Sequence, residues 1–570
     1  MEQQATAAAT LLNAATHGDM ASVTTWANGL RRKPLAEAYR ETHAFVHALL
    51  ASEHTAQALR DVAEAIRPGL HQCSPCRGAA EGEPLANQET AVLYTRLLGQ
   101  ELLLHEQVMQ LSDDVDLDSM ALAIHRSMAV LVERQQVYYL HYLPIPEKEW
   151  LLLHRLYYIA IEHHITGHHC VDKARYLGKQ LVIRDLYALA LLMGCGRLNR
   201  LSTNEMGKLF GLLPDWGPLV GISREPAGDS DNQLVVDITT GAAPSFRKLF
   251  AEGEHRVCCY LQVETLLGKL DRLIALEEKQ GHSNAFGVES HALPASVIRQ
   301  LKSAWSEYIY REARVPTDES VQVCRDFNSV FYYLTGGQTL KEFAGSKMSL
   351  SIVYDDNDDV STIGQQRSTD IWSAFISAPD GKLVTGAIPS EFHFQQHFPE
   401  KHPGQVDPDH PVEILRMSDT SSRGCRIEWG KPARVPAVGD LVALRSNDRQ
   451  GHWQMAQVAW KHQDGDGNIS TGLKLLSTQA IPVAFDVPLR LGLKDNYAGG
   501  ILLPPEDTLG TSGTVFVAPP IALQEGEYIS ISQKGIEEKI QLSKALQATP
   551  AFHSFECAFV VRNAPASGLR

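Results

Sequence analysis

The chain has 570 residues, of which 44% are hydrophobic and 21% are charged, so disorder throughout the chain is excluded. The 52 Lys and Arg residues against 67 Asp and Glu residues give a formal net charge of −15, which argues against wrapping a nucleic-acid polymer or binding an anionic membrane. At roughly 100–200 residues per domain, the length predicts about three or four domains.

The N-terminus and the cysteine content predict the compartment. Residues 1–20 lack the basic start and the continuous apolar core of a secretory signal. Among the most apolar runs is Leu186–Cys195, which is too short to span a membrane. The 9 cysteines are too sparse for a dense disulfide framework. We therefore expect a cytoplasmic protein with reduced thiols and no membrane insertion.

The first half of the chain carries the signals of helices. A proline in a first-turn position precedes Leu35–Leu50. In residues 117–131, apolar side chains recur every three or four positions, which is typical of one buried helical face. Leu261–Gln280 and Ser296–Ala313 have the same character. Because no fixed repeat period is evident, the pattern predicts an irregular all-α domain over residues 1–315.

After about Pro316 the pattern changes to short β-type runs separated by glycine and proline. The first runs are Val321–Val323, Val330–Leu334 and Ser349–Tyr354. Later runs have the spacing of a small barrel and a β-rich tail: Cys425–Glu428, Leu441–Leu444, Trp453–Trp460, Leu473–Leu476, Val515–Val517, Tyr528–Ser532, Glu538–Leu542 and Phe555–Val561. The chain is therefore predicted to be an α+β multidomain protein, with a β-rich C-terminal region over residues 481–570.

The most informative segment is a turn followed by three features in a fixed order. The residues concerned are Asp419, Ser421, Gly424, Gly439, Asp440, Trp460 and Gly472. The first three reproduce the D/N-x-S-x-x-G turn of PilZ domains, and the others fall in that family's order, so the segment resembles a PilZ domain. This resemblance implies a six-stranded antiparallel barrel over residues 316–480 that binds the bacterial second messenger cyclic di-GMP.

Elementary chemistry supports a nucleotide contact at this turn. Gly424 lets the backbone turn closely, while the Asp419 carboxylate and the Ser421 hydroxyl offer acceptors and a donor to a base edge. The guanidinium groups of nearby arginines pair with phosphates. The residues predicted to bind the ligand are Arg416, Asp419, Ser421, Arg423, Gly424 and Arg426.

The chain departs from the family at one point. Typical cyclic di-GMP binders carry an R-x-x-x-R pair ahead of the turn, whereas residues 368–415 contain no arginine. In one hypothesis, the arginines of the turn itself supply the missing groups. In another, Arg311 and Arg314 do so, with residues 335–410 as an insertion within the barrel. A third alternative is a degenerate domain, in which the aspartate and serine only build an Asx-type turn.

Parts of the helical half are similar to large uncharacterised bacterial proteins with a helical front and a PilZ-like rear. The segments that carry this likeness are Trp26–Leu30, Trp150–Tyr157 and Leu186–Leu192. The similarity implies no activity but indicates a signalling receptor or adaptor. We therefore expect the helical domain to contact a protein partner. In the alternative hypothesis, the whole chain is an interaction scaffold that binds no nucleotide.

Two histidines are the best candidates for metal ligands. His164 and His168 are four residues apart, so on a helix both rings face one ion, with Glu162 or Cys170 completing a site. Gly167 interrupts such a helix, and the sequence has no second ligand cluster. The histidines are therefore interpreted as residues of a helix end, and no metal or cofactor is predicted.

The remaining motifs also favour structural roles. Cys73 and Cys76 have redox or zinc-knuckle spacing but lie in a loop without a second cysteine pair. Asp355–Asp359 lacks the glycine and glutamate of a calcium loop, and Asp464–Asn468 fits a turn between strands better. No P-loop, nucleophile elbow or dinucleotide fingerprint occurs. The chain is accordingly predicted not to be an enzyme.

Overall fold

The computed structural model describes residues 10–76, 87–111, 117–170, 180–228, 231–250, 257–280, 293–309, 313–344, 382–385, 388–392, 398–401, 406–430, 434–446, 451–487, 497–521 and 523–561. It divides the chain into two units, Met1–Arg311 with Lys461–Ile469, and Glu312–Trp460 with Ser470–Arg570. The predicted fold class is confirmed, because helices come first and antiparallel β-structure follows. The predicted domain bounds of 1–315, 316–480 and 481–570 stay a prediction.

Short polar side chains begin several helices of the first unit. Asp19, Thr55, Asn87 and Ser202 each accept a hydrogen bond from the backbone N–H three residues later, which satisfies a donor that the first turn leaves free. The helices are α1 (residues 10–16), α2 (Met20–Gly29), α3 (Leu35–Leu50), α4 (Ala56–Gln72), α5 (Gln88–Gln110), α6 (Leu117–Leu140), α7 (Glu147–Glu162), α8 (Ile183–Cys195), α9 (Thr203–Trp216), α10 (Glu264–Gln280) and α11 (Ala295–Ser306). Within the described residues, every helix is too short or too polar to cross a bilayer.

The first unit also holds a small antiparallel sheet that the sequence analysis did not predict. Its strands are β1 (Gly221–Ser223), β2 (Leu234–Asp237), β3 (Ser245–Phe246) and β4 (Cys258–Gln262), in the order β1-β4-β2-β3. Strand β4 occupies the start of the run that was assigned to a helix from Leu261, and α10 begins only at Glu264. Strands this short carry too few residues to show a period of two.

A closed six-stranded barrel, here called the first barrel, follows the helical half. Its strands are β5 (Val315–Arg325), β7 (Val412–Ser421), β8 (Gly424–Gly430), β9 (Leu441–Ser446), β10 (Gln454–Gln463) and β11 (Ile469–Ser477), in the closed order β10-β11-β8-β7-β5-β9. Strand β5 pairs antiparallel with both β7 and β9, and β7 pairs antiparallel with β8. This pairing brings residues before β5 to the β7–β8 hairpin.

The chain between β5 and β7 contains α12 (Phe327–Leu334), α13 (Leu340–Ala344) and β6 (Lys382–Thr385). The predicted β-type run at Val330–Leu334 is therefore wrong, because these residues form the end of α12. Asp326 begins that helix by accepting a hydrogen bond from the Ser329 N–H at 2.9 Å, and Val330 and Leu334 are buried. The capping aspartate and burial outweigh the β propensity of the run. The run predicted at Ser349–Tyr354 lies outside the described residues.

A second ring of six strands follows and is here called the second barrel. Its strands are β12 (Ile481–Asp486), β13 (Tyr497–Leu503), β14 (Val515–Ala518), β15 (Tyr528–Gln533), β16 (Ile536–Ala548) and β17 (His553–Val561). The order β14-β13-β12-β15-β16-β17 is closed by antiparallel pairing of β14 with β17, and β6 adds to β17. Counted from one to six along the chain, the strands of each barrel follow the cyclic order 1-2-3-6-5-4.

One apolar core joins the two barrels. Phe331 of α12 is packed in the same buried cluster as Leu441 and Met455 of the first barrel and Ile501 and Val517 of the second. Burial of aliphatic and aromatic side chains contributes about 1.5–3 kcal/mol for each, so this cluster makes the barrels energetically dependent on one another.

Candidate functional site

The candidate site is built around the hairpin between β7 and β8, here called the Asp419 turn (Asp419–Gly424). The Ser421 hydroxyl donates to the Gly424 carbonyl oxygen at 3.2 Å, and the Arg423 carbonyl oxygen accepts from the Leu475 N–H at 2.9 Å. A Cβ atom on Gly424 would lie 2.1 Å from a carbonyl oxygen of β11. Only glycine fits at this position, and the turn is held against the neighbouring strand.

An arginine from ahead of β5 reaches this turn. The register of β5 with β7 sets Val315 opposite Thr420, so Arg314 arrives beside the turn. Its Nη1 donates to Asp419 Oδ1 at 2.5 Å, and the two side chains are 37% and 21% exposed. Of the two arginines considered ahead of the barrel, Arg314 therefore contacts the turn. Arg311 lies outside the described residues.

Two further arginines of the hairpin lie in partly or largely exposed ion pairs. Arg416 Nε donates to Asp318 Oδ1 at 2.5 Å, and both side chains are more than half exposed. Arg426 Nε lies 2.8 Å from Glu428 Oε1, with both side chains about one third exposed. Arg423, in the turn itself, is exposed. Arg314 therefore contacts the Asp419 turn and Arg423 lies within it, while Arg416 and Arg426 lie on the two strands that the turn joins.

Arg426 is positioned from its other side by the strands that follow. Its Nη2 donates to Ser470 Oγ at 3.3 Å, and its guanidinium carbon lies 5.9 Å from the centre of the Trp460 ring. A Cβ atom on Gly472 would lie 1.9 Å from the Trp460 Nε1, so this glycine makes room for the indole. The tryptophan and glycine of the predicted pattern thus orient an arginine of the site.

The charges of the site are arranged so that an anionic ligand can replace its internal partners. Each exposed ion pair contributes about 0–1 kcal/mol, because water and salt screen it. A phosphate that accepts two parallel hydrogen bonds from a guanidinium binds more strongly. When such an exchange occurs, the released Asp419 carboxylate can accept hydrogen bonds from the N–H groups of a base. The site therefore offers cations and an acceptor within one short hairpin.

The Cys425 thiol, which lies next to the Asp419 turn, is not activated as a nucleophile. Burial and, to a smaller extent, the Asp419 charge raise the pKa of Cys425 to about 12, although the Arg314 charge opposes this shift. Because the thiolate is the nucleophilic form of cysteine, this side chain is not poised for covalent chemistry at neutral pH.

The two histidines considered as metal ligands do not share a helical face. Helix α7 ends at Glu162, and His164 adopts a left-handed φ of 57° in the following turn. His168 instead contacts a carboxylate, with its Nε2 2.9 Å from Asp118 Oδ1. Across the part of the chain that the structure describes, no group of three or more His, Cys, Asp or Glu side chains is placed to hold a metal ion.

The other motifs fall in turns or lie elsewhere. Burial raises the pKa of Cys73 and raises that of Cys76 to about 12. Asp464 accepts hydrogen bonds from the backbone N–H groups of Asp466 and Asn468 and so closes the turn between β10 and β11. Asp355–Asp359 lie outside the described residues.

Sequence reasoning missed the carboxylates and the hydroxyl that hold the arginines. Glu428 was detectable in principle, because side chains two positions apart on a strand share a face and Arg426 precedes it by two. Asp318 and Ser470 were not detectable, since each reaches its arginine only through the pairing of strands that are distant in sequence.

Two family models match the chain. One, described as the N-terminal domain of the cyclic-di-GMP receptor FimW, matches residues 21–227, and the other, described as the middle PilZ domain of that receptor, matches residues 233–482. The cyclic-di-GMP receptor FimW of Pseudomonas aeruginosa is 24% identical over 434 residues, which are 73% of this chain and 68% of that protein. No solved structure matches the chain. The two models together cover most of the chain, and the region that matches the middle model, residues 233–482, belongs to the PilZ-domain family.

Proposed function

We propose that this chain is a receptor for cyclic di-GMP that binds the nucleotide at the Asp419 turn. The observation that carries the proposal is the contact between Arg314 and Asp419, which sets an arginine from ahead of the barrel at the D-x-S-x-x-G turn. The name of the relative from Pseudomonas aeruginosa, a cyclic-di-GMP receptor, supports the same assignment. The alternative is a scaffold with this fold that binds no nucleotide.

The chemistry of the ligand fits the side chains of the hairpin. Cyclic di-GMP carries two phosphates, and Arg314, Arg416, Arg423 and Arg426 offer guanidinium groups that pair with phosphate oxygens. Guanine presents N–H donors, and the Asp419 carboxylate is an acceptor for them once Arg314 turns to a phosphate. Ligand binding would thus exchange exposed ion pairs inside the protein for contacts with the nucleotide, and it would favour the conformation in which the arginines face the turn.

The helical unit is proposed to contact a protein partner, and the chain to act as a cytoplasmic, non-enzymatic signalling protein. One exposed stripe of α7 supports a partner-binding role, since Leu151, Arg155 and Tyr158 face away from the buried side of that helix. Tyrosine and arginine are enriched among the residues that dominate binding at protein interfaces.

Titration calorimetry of the full chain with cyclic di-GMP tests the nucleotide proposal. We expect binding by the wild-type protein, and a weakening of about tenfold or more in Arg314→Ala and in Asp419→Ala, because each removes a charged group of the site. Arg325→Ala is the matched control. Arg325 lies at the end of β5 that is distant from the turn, and its Nη2 lies 2.5 Å from Glu413 Oε1. Absence of heat in the wild type, or equal weakening in all three variants, would overturn the proposal.

A further inference from the structure

The two barrels differ most in the connection between their second and third strands. In the first barrel this connection is the Asp419 turn, with two residues between β7 and β8. In the second barrel it is a longer loop, residues 504–514, between β13 and β14. Since both barrels have the same cyclic strand order, these two connections occupy equivalent places in the two topologies. The second connection, here called the 504–514 loop, lacks the D-x-S-x-x-G pattern.

The 504–514 loop lies against the candidate nucleotide site. Gly510 adopts a φ of 72°, and a Cβ atom there would lie 3.7 Å from Arg423 Nη2 and within 4 Å of no atom outside that guanidinium group. Gly510 and Arg423 are both exposed. The side chain of the one arginine in the middle of the Asp419 turn therefore faces the second barrel.

Hydrogen bonds hold the 504–514 loop against the end of the first barrel. The Glu506 carboxylate accepts hydrogen bonds from the hydroxyl of Ser477, which ends β11, and from both the backbone N–H and the hydroxyl of Thr478, at 2.5, 2.9 and 2.6 Å. The Glu506 N–H donates to Thr511 Oγ1 at 2.8 Å and closes the loop on itself. Residues 507–509 form a 3-10 turn that leads directly to Gly510. These bonds hold the surface that faces Arg423 in a defined place.

We propose that the 504–514 loop of the second barrel forms one wall of the nucleotide site and positions Arg423 for a phosphate of the ligand. The inference rests on the proposed function and names a role for the second barrel in it. A wall that limits the conformations of a long arginine side chain reduces the entropy that ligand binding must remove. Because Gly510 has no side chain, no side chain at this position competes with a phosphate for the Arg423 guanidinium group.

A carboxylate introduced at Gly510 tests the proposal, because it would pair with Arg423 in place of a phosphate. Gly510→Asp in the full chain is compared with Gly510→Asn, which has the same size and the same tolerance of left-handed backbone but no charge. Gly535→Asp is the second control. It adds the same charge to another left-handed glycine of the second barrel, with φ of 85° and no atom within 4 Å of its Cβ position.

Calorimetric titration with cyclic di-GMP is expected to show about five- to tenfold weaker binding in Gly510→Asp, the order of a lost charge-assisted hydrogen bond that is partly compensated. Gly510→Asn and Gly535→Asp are expected to stay within about twofold of the wild type. All three variants are expected to fold, because none places a side chain in a core. Thermal unfolding of each variant checks this.

The outcomes separate this inference from the proposed function. If the wild type binds and Arg314→Ala weakens binding while Gly510→Asp does not, the proposed role of the 504–514 loop is wrong, but the proposed receptor function is supported. Equal weakening in Gly510→Asp and Gly510→Asn, or in Gly510→Asp and Gly535→Asp, also overturns the role of the Arg423 contact. Failure of the wild type to bind overturns both proposals.

Discussion

The two barrels share a strand order but not a chemistry. In the first barrel, the hairpin between the second and third strands carries three arginines and the Asp419 carboxylate, and a fourth arginine joins them from before β5. In the second barrel, the equivalent loop contains no arginine or lysine. The arrangement of strands therefore supplies the same frame in both barrels, while the residues of one connection determine the charge that the frame carries.

The closure of the two barrels differs as well. Between the third and sixth strands of the first barrel, Trp429 Nε1 donates to Thr471 Oγ1 at 2.9 Å in a buried position. At the equivalent junction of the second barrel, Phe516 faces Phe555, and both are buried. At this junction the first barrel therefore has a buried N–H donor that needs a hydrogen-bond acceptor. The second barrel has an apolar pair, which needs none.

The largest expected effect is that of a side chain added at the Asp419 turn. Gly424→Ala should lower the free energy of unfolding by about 3 kcal/mol, because the new Cβ would meet a backbone carbonyl at 2.1 Å. Gly513→Ala in the equivalent loop should change it by less than about 0.5 kcal/mol, since nothing lies within 4 Å of that position. Urea unfolding followed by circular dichroism measures both. Similar losses in the two variants would show that the turn is not specially constrained.

A smaller effect is expected at the strand junction. Thr471→Val should cost about 1–3 kcal/mol of unfolding free energy, because the buried Trp429 N–H loses its acceptor. Thr514→Val in the second barrel is the matched control. Within the described residues the buried Thr514 hydroxyl has no hydrogen-bond partner, so its removal should be neutral or slightly stabilising. The same unfolding measurement applies, and a neutral Thr471→Val would contradict the polar closure.

The smallest expected effect concerns pH. Burial lowers the pKa of His553 in the second barrel from 6.5, although its hydrogen bond to the Ile521 carbonyl opposes this. The neutral imidazole is therefore favoured in the folded state, so its contribution to stability is complete above the unfolded pKa and is lost as the pH falls below it. Between about pH 7.5 and about pH 5.5, His553→Gln should lose less stability than the wild type.

The control for this pH dependence is His452→Gln, which changes an exposed histidine between β9 and β10. That variant should follow the wild type at both pH values, as judged by the urea midpoint. Parallel loss of stability in the wild type and His553→Gln would mean that His553 does not contribute to acid sensitivity.

Local signals were sufficient to predict much of the β-rich half. The Asp419 turn was predicted from its resemblance to the D/N-x-S-x-x-G turn of PilZ domains, and aspartate, serine and glycine are also residues that favour turns. The strands that follow alternate or run apolar for long enough to be recognised. The run at Val330–Leu334 was misassigned because its aliphatic and aromatic residues suit a strand equally well, and the outcome depends on one capping residue, Asp326, and on packing.

Contacts between distant segments could not be predicted from the sequence. Whether Arg314 or the arginines of the turn approach Asp419 depends on the pairing of β5 with β7, which the sequence does not encode locally. The shared strand order of the two barrels is likewise a property of pairing between strands, and the 504–514 loop carries no motif that marks it as a neighbour of Arg423.

The contact between Arg314 and Asp419 joins residues that are 105 positions apart in the chain. Bringing such distant segments together costs on the order of 4 kcal/mol of loop-closure entropy, far more than an exposed ion pair returns. The pairing of β5 with β7 must therefore supply the energy that keeps Arg314 at the turn. Any opening that detaches β5 removes the arginine in the same event, so the proposed set of ligand-binding arginines is complete only while the first barrel is closed.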